Sequence, residues 1–116
     1  VSTPLGRSGW MKSVVAGSSG IAAALRGKAR AVAAPETGWD DDELLFAVRE
    51  PFPSVCTGAE LVYGAIAPGE RFEIESRMGE NGIIFSDGVQ DDFLEFNYSV
   101  VASVAVDEVK GRIVVK

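Results

Sequence analysis

The first residues of the chain carry the groups best suited to binding a small polar ligand. They run from Val1 to Trp10 as VSTPLGRSGW, and Met11, Lys12 and Ser13 follow. Hydroxyl groups, glycine backbone and the free N–H groups of a helix start suit a phosphate, a ribose or an amide. Trp10 adds a flat face that can stack on an aromatic ring. The same residues also fit an ordinary capped helix with Trp10 in the core, so a binding site and a structural helix start both stay open.

A second group of polar side chains lies at Ser86-Asp87-Gly88, with Asp91 and Asp92 close behind. Asp-Gly at the end of a strand is typical of a plain turn. A carboxylate pair or a divalent-cation site is the alternative, but surface turns often carry such pairs. The sequence therefore favours a turn, and no metal ligands are predicted.

The residue types that the chain lacks exclude several kinds of chemistry. There is no histidine, so neither a Cys/His pair nor a Ser-His-Asp triad can form within it. The single cysteine, Cys56, cannot form an internal disulfide, which fits a reducing cytoplasm. We expect Cys56 to be a half-buried structural thiol.

The charge balance argues against a nucleic-acid partner. The net charge is −6, whereas nucleic-acid binding needs a face of Lys and Arg. The cluster of Arg26, Lys28 and Arg30 fits a solvated helix end or a linker better than a phosphate site. The apolar runs are far shorter than the roughly 18 residues of a membrane-spanning helix, and nothing resembles a signal peptide. We expect a cytoplasmic protein with no membrane contact.

Hydrophobic periodicity divides the chain into a helical third and a strand-rich two-thirds. Apolar residues at Trp10, Met11, Val14 and Val15 follow the period of a helix that Ser8 can cap, near residues 8 to 16. Residues 27–42 read as a connecting segment within a single domain. From Glu43 onward the period becomes two, and strands are predicted at residues 44–49, 60–66, 71–78, 82–86, 93–106 and 112–115.

The strand pattern predicts how these segments pair and which side chains they bury. In residues 71–78, Phe72, Ile74 and Met78 alternate with charged residues and should face inward. The turn at residues 79–82 should join this strand to the next one in a hairpin. Successive antiparallel strands with short turns imply a sandwich or a curled sheet, with the helix packed against it.

The start of the chain also suggests how it relates to a whole protein. Val1 is not an initiator Met, and a polar turn runs directly into an amphipathic segment. We expect this sequence to come from the middle of a larger protein, with residues needed for chemistry upstream of Val1.

Three segments together resemble one known family. The segment from Val1 to Trp10 is similar to the Ser-Thr-Pro-Thr-Gly-Ser-Thr-Ala-Tyr stretch of ATP-dependent NAD kinases, and closer to a bacterial kinase-like subgroup with Ser-Gly-Trp or Thr-Gly-Trp there. Residues 75–88 and 92–97 also resemble that subgroup, with Ser86-Asp87-Gly88 at the position of the family's Asp-Gly-Gln. Residues 18–37 add nothing to the resemblance.

The resemblance implies that residues 1–116 are the partial C-terminal domain of an NAD kinase-like protein. In that family this domain is mostly β, an antiparallel sandwich with an N-terminal helix here, and it supplies part of the NAD pocket and the oligomer contacts. The family's Gly-Gly-Asp-Gly motif, which carries a catalytic Asp and meets the phosphoryl donor, and its Asn-Glu pair are both absent from this chain. The resemblance thus implies a nucleotide-binding part of a transferase of NADP biosynthesis, with ATP and Mg²⁺ used by the parent and none by this fragment, which alone should be inactive.

The family's dinucleotide contacts carry over to four residues. The Thr-Ala-Tyr of the motif and a Ser three residues later match Ser8, Gly9, Trp10 and Ser13. Trp10 keeps the flat ring of the family's Tyr but lacks its hydroxyl, and Leu5 and Arg7 replace a Thr and a Ser. NAD is the implied substrate, and no catalytic residue is expected here. Two alternatives remain: a non-catalytic β-rich ligand-binding or interaction module, and a related lipid or sugar kinase with another acceptor.

Overall fold

The structure is a computed structural model that describes residues 1–27, 38–89, 91–111 and 114. The chain forms two compact units, one made of Val1–Pro68 with Val106–Lys116 and the other of Gly69–Ala105. Most of the predicted connecting segment, residues 28–37, lies outside the described residues. The predicted strand at 112–115 does so too, apart from Val114.

The described residues form one α-helix and six short strands, which confirms a β-rich chain with an N-terminal helix. A 3₁₀ helix, Leu5–Ser8, leads into helix α1, Trp10–Arg26. The strands are β1 (Leu44–Ala47), β2 (Tyr63–Ile66), β3 (Arg71–Glu75), β4 (Ile83–Phe85), β5 (Phe93–Glu95) and β6 (Val101–Ala105). They pair two by two into three antiparallel sheets, β1 with β2, β3 with β6 and β4 with β5.

Helix α1 is longer than the sequence predicts. It continues through Gly17-Ser18-Ser19-Gly20 to Arg26, and Gly27 ends it in the left-handed conformation with φ of 70°. A glycine inside a helix costs only about 1 kcal/mol relative to alanine. The alanine-rich turn that follows has high helix propensity, so the helix does not end near residue 16 but extends to Arg26.

The first unit is built on the β1–β2 sheet. Leu44 of β1 lies opposite Ile66 of β2, and Phe46 lies opposite Gly64. The ring of Phe46 covers Gly64 so closely that a Cβ there would lie 2.6 Å from Cε1 of the ring. Among the described residues of this unit, the buried apolar side chains are those of the core, Met11, Leu45, Phe46 and Ile66.

The second unit contains two antiparallel strand pairs, β3 with β6 and β4 with β5, and the pair β4–β5 lies between β3 and β6 in the sequence. The hairpin predicted between β3 and β4 is therefore wrong, because β3 does not pair with β4. Residues 77–81 form a loop between the two ladders. The pairing of β3 with β6 sets Phe72 opposite Val104 and Ile74 opposite Ala102, and cross-strand pairs of this kind stabilise a sheet.

The predicted faces of β3 are confirmed along the strand itself. Phe72 and Ile74 are half-buried, whereas Arg71, Glu73 and Glu75 are exposed. Met78 was predicted to face inward, but it is 54% exposed. The strand ends at Glu75, so the alternation does not reach Met78.

The long strand predicted for residues 93–106 is divided into β5 and β6. Between them Ser99 has a φ of 66°, in the left-handed region that an extended strand cannot contain. Residues 96–100 therefore form the connection from β5 to β6, just as the loop at residues 77–81 connects β3 to β4.

Candidate functional site

The predicted site lies where the 3₁₀ helix meets helix α1, and Gly9 is the residue between them. The Gly9 N–H donates to the Gly6 carbonyl oxygen at 3.2 Å, and the Ser13 N–H donates to the Gly9 carbonyl oxygen at 3.4 Å. Among the described residues no side chain caps α1, and the first turn of the helix holds no acidic residue. The start of the helix thus offers N–H groups and the positive end of its dipole, with no carboxylate in the first turn.

Ser8 does not cap the helix, contrary to the prediction from sequence. Its hydroxyl donates backward to the Leu5 carbonyl oxygen at 3.1 Å, and Gly9 takes the N-cap position. The preceding 3₁₀ turn accounts for this, because it places the Leu5 carbonyl within reach of the Ser8 side chain.

The strand-like start of the chain attaches this helix start to β1. The Ser2 N–H donates to the Leu45 carbonyl oxygen at 2.7 Å, and the Leu45 N–H donates back to Ser2 at 3.0 Å. Since both backbone groups of Leu45 bind Ser2, β1 lies between Ser2 and β2. Gly6 passes close to this contact, and a Cβ there would lie 2.8 Å from the Ser2 hydroxyl oxygen.

Arg7 holds the same segment by its side chain, which is only 9% exposed. Its Nη2 donates to the carbonyl oxygen of Glu43 at 3.0 Å and to Oε1 of Glu43 at 3.3 Å. Its Nη1 lies 3.7 Å from Oδ2 of Asp41, an ion pair without a hydrogen bond. The Nε and Nη1 groups are buried and find no hydrogen-bond partner in the described part of the chain. We call Arg7 and its two acidic partners, Asp41 and Glu43, the Arg7 clasp.

Sequence reasoning treated Arg7 only as a departure from the family pattern, and so it missed the clasp. The available signal was the acidic run from Asp40 to Glu43, which stands just before β1. A buried arginine needs carboxylate partners, and this run supplies them across 36 residues of sequence.

Burial separates the two apolar residues at the start of α1. Met11 is 2% exposed and belongs to the core, whereas Trp10 is 48% exposed. The reading that places Trp10 in the core is therefore wrong, because the adjacent Met11 takes that position. One half of the Trp10 side chain remains accessible to a ligand.

The four predicted binding residues lie together at this helix start. Ser8, Gly9, Trp10 and Ser13 are all exposed. Trp10 and Ser13 are three residues apart on α1, so they share one face of the helix. The arrangement offers a hydroxyl, backbone N–H groups and an aromatic face within one turn.

The second sequence candidate, Ser86-Asp87-Gly88, is a turn. The Val89 N–H donates to the Ser86 carbonyl oxygen at 3.1 Å, and Asp87 and Gly88 both have positive φ. The Ser86 hydroxyl donates to Oδ2 of Asp87 at 3.2 Å. In the described ranges no group of three or more His, Cys, Asp or Glu side chains is arranged to hold a metal ion.

Residues of the second and third resembling segments, 75–88 and 92–97, form a structural joint by hydrogen bonds between them. Ser76 is 2% exposed, and its hydroxyl donates to the Phe96 carbonyl oxygen at 2.6 Å while accepting from the Met78 N–H at 3.2 Å. The Gly82 N–H donates to Oδ1 of Asn97 at 2.9 Å. These bonds join the β3–β6 ladder to the β4–β5 ladder, so Ser76 and Asn97 have a folding role that the sequence alone did not indicate.

An open depression of about 360 Å³ in the first unit is acidic. Its lining consists of Asp41, Asp42, Glu43, Ala67 and Pro68. Asp42, one of these lining residues, forms an ion pair with Lys110. Three carboxylates at this surface do not suit a phosphate-bearing ligand.

Two further observations concern the cysteine and the length of the helices. Cys56 is exposed and not half-buried, since it lies in a turn where its N–H donates to the Ser54 hydroxyl oxygen at 3.2 Å. Among the helical residues that the structure describes, no segment is both long and apolar enough to cross a membrane.

Comparison with known proteins adds no family to these observations. No protein-family model matches the chain, and neither a curated protein nor a solved structure shows significant similarity to it.

Proposed function

We propose that this chain is the C-terminal substrate-binding and assembly part of an NAD kinase-like phosphotransferase. The parent enzyme would convert ATP and NAD to ADP and NADP in the cytoplasm. Ser8, Gly9, Trp10 and Ser13 bind NAD in this proposal, and the three small sheets belong to a sandwich-like domain.

The observation that carries the proposal is the geometry of the first helix start. The segment that resembles the NAD kinase motif is held on β1 at Ser2 and by the Arg7 clasp. It ends at an uncapped helix with a half-exposed indole. Free N–H groups suit the phosphates or amide of a dinucleotide, and the indole suits a base or the nicotinamide ring.

The phosphoryl donor does not fit the described residues, and the proposal assigns it to the rest of the parent. Phosphoryl transfer depends on positioning and on neutralisation of charge by Mg²⁺ and cationic groups. Arg7 is engaged by Asp41 and Glu43, and the depression beside it is acidic. This chain would position NAD, and ATP and Mg²⁺ would be bound elsewhere.

The assembly part of the proposal rests on an exposed helix face. Ile21 and Leu25 are four residues apart on α1, on one face, and both are largely exposed. Apolar side chains in this arrangement are typical anchors of a helix that packs in a groove. A homo-oligomer in which this face packs against a second copy would cover them.

A titration calorimetry experiment with three ligands separates the proposal from its rivals. Purified residues 1–116 would be titrated with NAD, with a sugar phosphate and with a soluble lipid headgroup. The proposal expects heat of binding for NAD alone. Binding of either other ligand in preference to NAD would favour a kinase with another acceptor, and no binding of NAD would favour a non-catalytic module.

A further inference from the structure

The β4–β5 ladder exposes apolar side chains on both of its faces. Residues that lie opposite each other in an antiparallel pair share a face. Ile83, Phe85 and Phe93 occupy one face with Glu95, and Ile84 lies opposite Leu94 on the other. These five apolar side chains are between 37% and 69% exposed.

The neighbouring β3–β6 ladder shows that this pattern is not general in the chain. There one face, with Phe72 and Ile74, is half-buried, and the other face carries Arg71, Glu73 and Glu75. The β3–β6 ladder thus has one apolar face, whereas β4–β5 has apolar side chains on both faces. The five side chains of β4–β5 together expose an area on the order of 500 Å², divided between the two faces, and the largest apolar patches of a monomer, about 300–600 Å², are often binding sites.

The charged residues of the segment that contains the β4–β5 ladder are all acidic. Residues 78–105 contain five carboxylates and no Lys, Arg or His, and Arg77, just before this segment, pairs with Glu75 of β3. These carboxylates flank the exposed apolar residues, at Glu80, Asp87, Asp91, Asp92 and Glu95. The unit Gly69–Ala105 holds eight carboxylates and two arginines. Its net charge is therefore −6, the same as that of the whole chain.

Both outer edges of this ladder are free of strand partners within the described ranges. The sheet contains β4 and β5 alone, so each strand has one edge whose backbone groups pair with no other described strand. Such an edge can accept an added strand through main-chain hydrogen bonds.

The charge selects the partner. A second copy docked on this ladder would bring ten carboxylates together with no cation from either segment, and like charges facing each other oppose association. We propose that the β4–β5 ladder binds an extended, cationic segment of a partner protein, in which apolar residues alternate with Lys or Arg. The partner strand adds to a free edge with its apolar side chains on the face of Ile84 and Leu94. Its cations then lie on the opposite face, which carries Glu95. This inference does not depend on NAD binding.

The test uses a fluorescein-labelled synthetic peptide in which Lys alternates with Ile, titrated with the full chain and followed by fluorescence anisotropy. We expect saturable binding that weakens as the salt concentration is raised. A peptide in which Glu replaces Lys, with the same apolar residues, should not bind. Equal binding of the two peptides would overturn the proposal.

Variants of the chain locate the site. Leu94→Asn should weaken binding of the Lys-Ile peptide about tenfold, as expected for loss of a central apolar anchor. Val55→Asn, at a fully exposed apolar residue in the other unit, is the matched control and should change nothing. A Leu94→Asn chain that binds as tightly as the wild type would refute the assignment.

The charge has its own test, because Leu94→Asn alone could alter the fold. The double variant Asp91→Asn/Asp92→Asn should bind more weakly and with a flatter salt dependence, while its circular dichroism stays unchanged. Unchanged salt dependence in this variant would overturn the proposal. So would light scattering that shows a dimer of the wild type which Leu94→Asn dissociates, because the occupant would then be a second copy.

Discussion

At the scale of single residues, the Arg7 clasp is the contact that fixes the start of the chain. Replacing Arg7 with Ala removes two hydrogen bonds to Glu43 and leaves Asp41 and Glu43 without their cation. We expect Arg7→Ala to lower the free energy of unfolding by about 1–3 kcal/mol, because hydrogen bonds from a charged group are worth roughly that much. Thermal or urea denaturation followed by circular dichroism measures the change.

Arg49 provides the matched control for this variant. Its guanidinium pairs with the adjacent Glu50, and both side chains are exposed. Exposed pairs contribute little, so Arg49→Ala should leave the melting temperature nearly unchanged. Equal effects of the two substitutions would show that the clasp does not hold the segment.

In the second unit, Ser76 is the residue whose side chain holds separate segments together, as Arg7 does in the first unit. Its buried hydroxyl both donates to Phe96 and accepts from Met78. Ser76→Ala leaves these two backbone groups without that partner and should cost about 1–3 kcal/mol. Ser103→Ala, on the exposed face of β6, serves as the control in the same denaturation experiment. A Ser76→Ala chain as stable as the control would contradict the role of Ser76 as a joint.

At the scale of elements, the continuity of α1 through its glycines leads to a direct prediction. Gly17 and Gly20 lie inside the helix, and a Cβ at either would meet nothing within 4 Å. Gly20→Ala should therefore stabilise the chain by roughly 0.5–1 kcal/mol. Gly27→Ala should destabilise it, since Gly27 ends the helix with φ of 70°. Thermal melts of the two variants check the sign of each change, and loss of stability in Gly20→Ala would argue that α1 is broken there.

The elements show how far the sequence alone predicts this fold. Alternation predicted the faces of β3 correctly, because the side-chain period of a strand is a local property. The partner of β3 is not local: β6 begins at Val101, beyond the whole β4–β5 ladder. A turn-like composition at residues 79–82 suggested a hairpin, but the five matched pairs between β3 and β6 form instead.

The sequence likewise predicts the local features of the candidate site but not those that depend on long-range contacts. The position of the helix start and the grouping of Ser8 to Ser13 follow from local spacing and were predictable. The clasp was not, since Arg7 and Glu43 are 36 residues apart and only the fold brings them together. The choice of Met11 over Trp10 as the buried residue also depends on packing, because both fit the apolar stripe of the helix.

At the scale of the whole molecule, we expect that this chain alone does not phosphorylate NAD. It lacks the Gly-Gly-Asp-Gly motif and any histidine, and the one buried arginine of the helix start is engaged by carboxylates. Purified residues 1–116 incubated with ATP, Mg²⁺ and NAD should form no NADP above the level of a blank. NADP formed in proportion to the amount of pure chain would contradict the division of labour proposed here.

The central claim is that the helix start at Ser8-Gly9-Trp10 binds NAD, and the most direct test compares two tryptophans. Trp10 is half-exposed at the site, and Trp39 is an exposed tryptophan outside it. Loss of stacking on Trp10 should cost about 1 kcal/mol, or roughly fivefold in affinity. The measurement is the Kd for NAD of the wild type, Trp10→Ala and Trp39→Ala chains by calorimetry, with a melting curve for each. The account predicts a weaker Kd for Trp10→Ala alone, and equal Kd values for all three folded chains would contradict it.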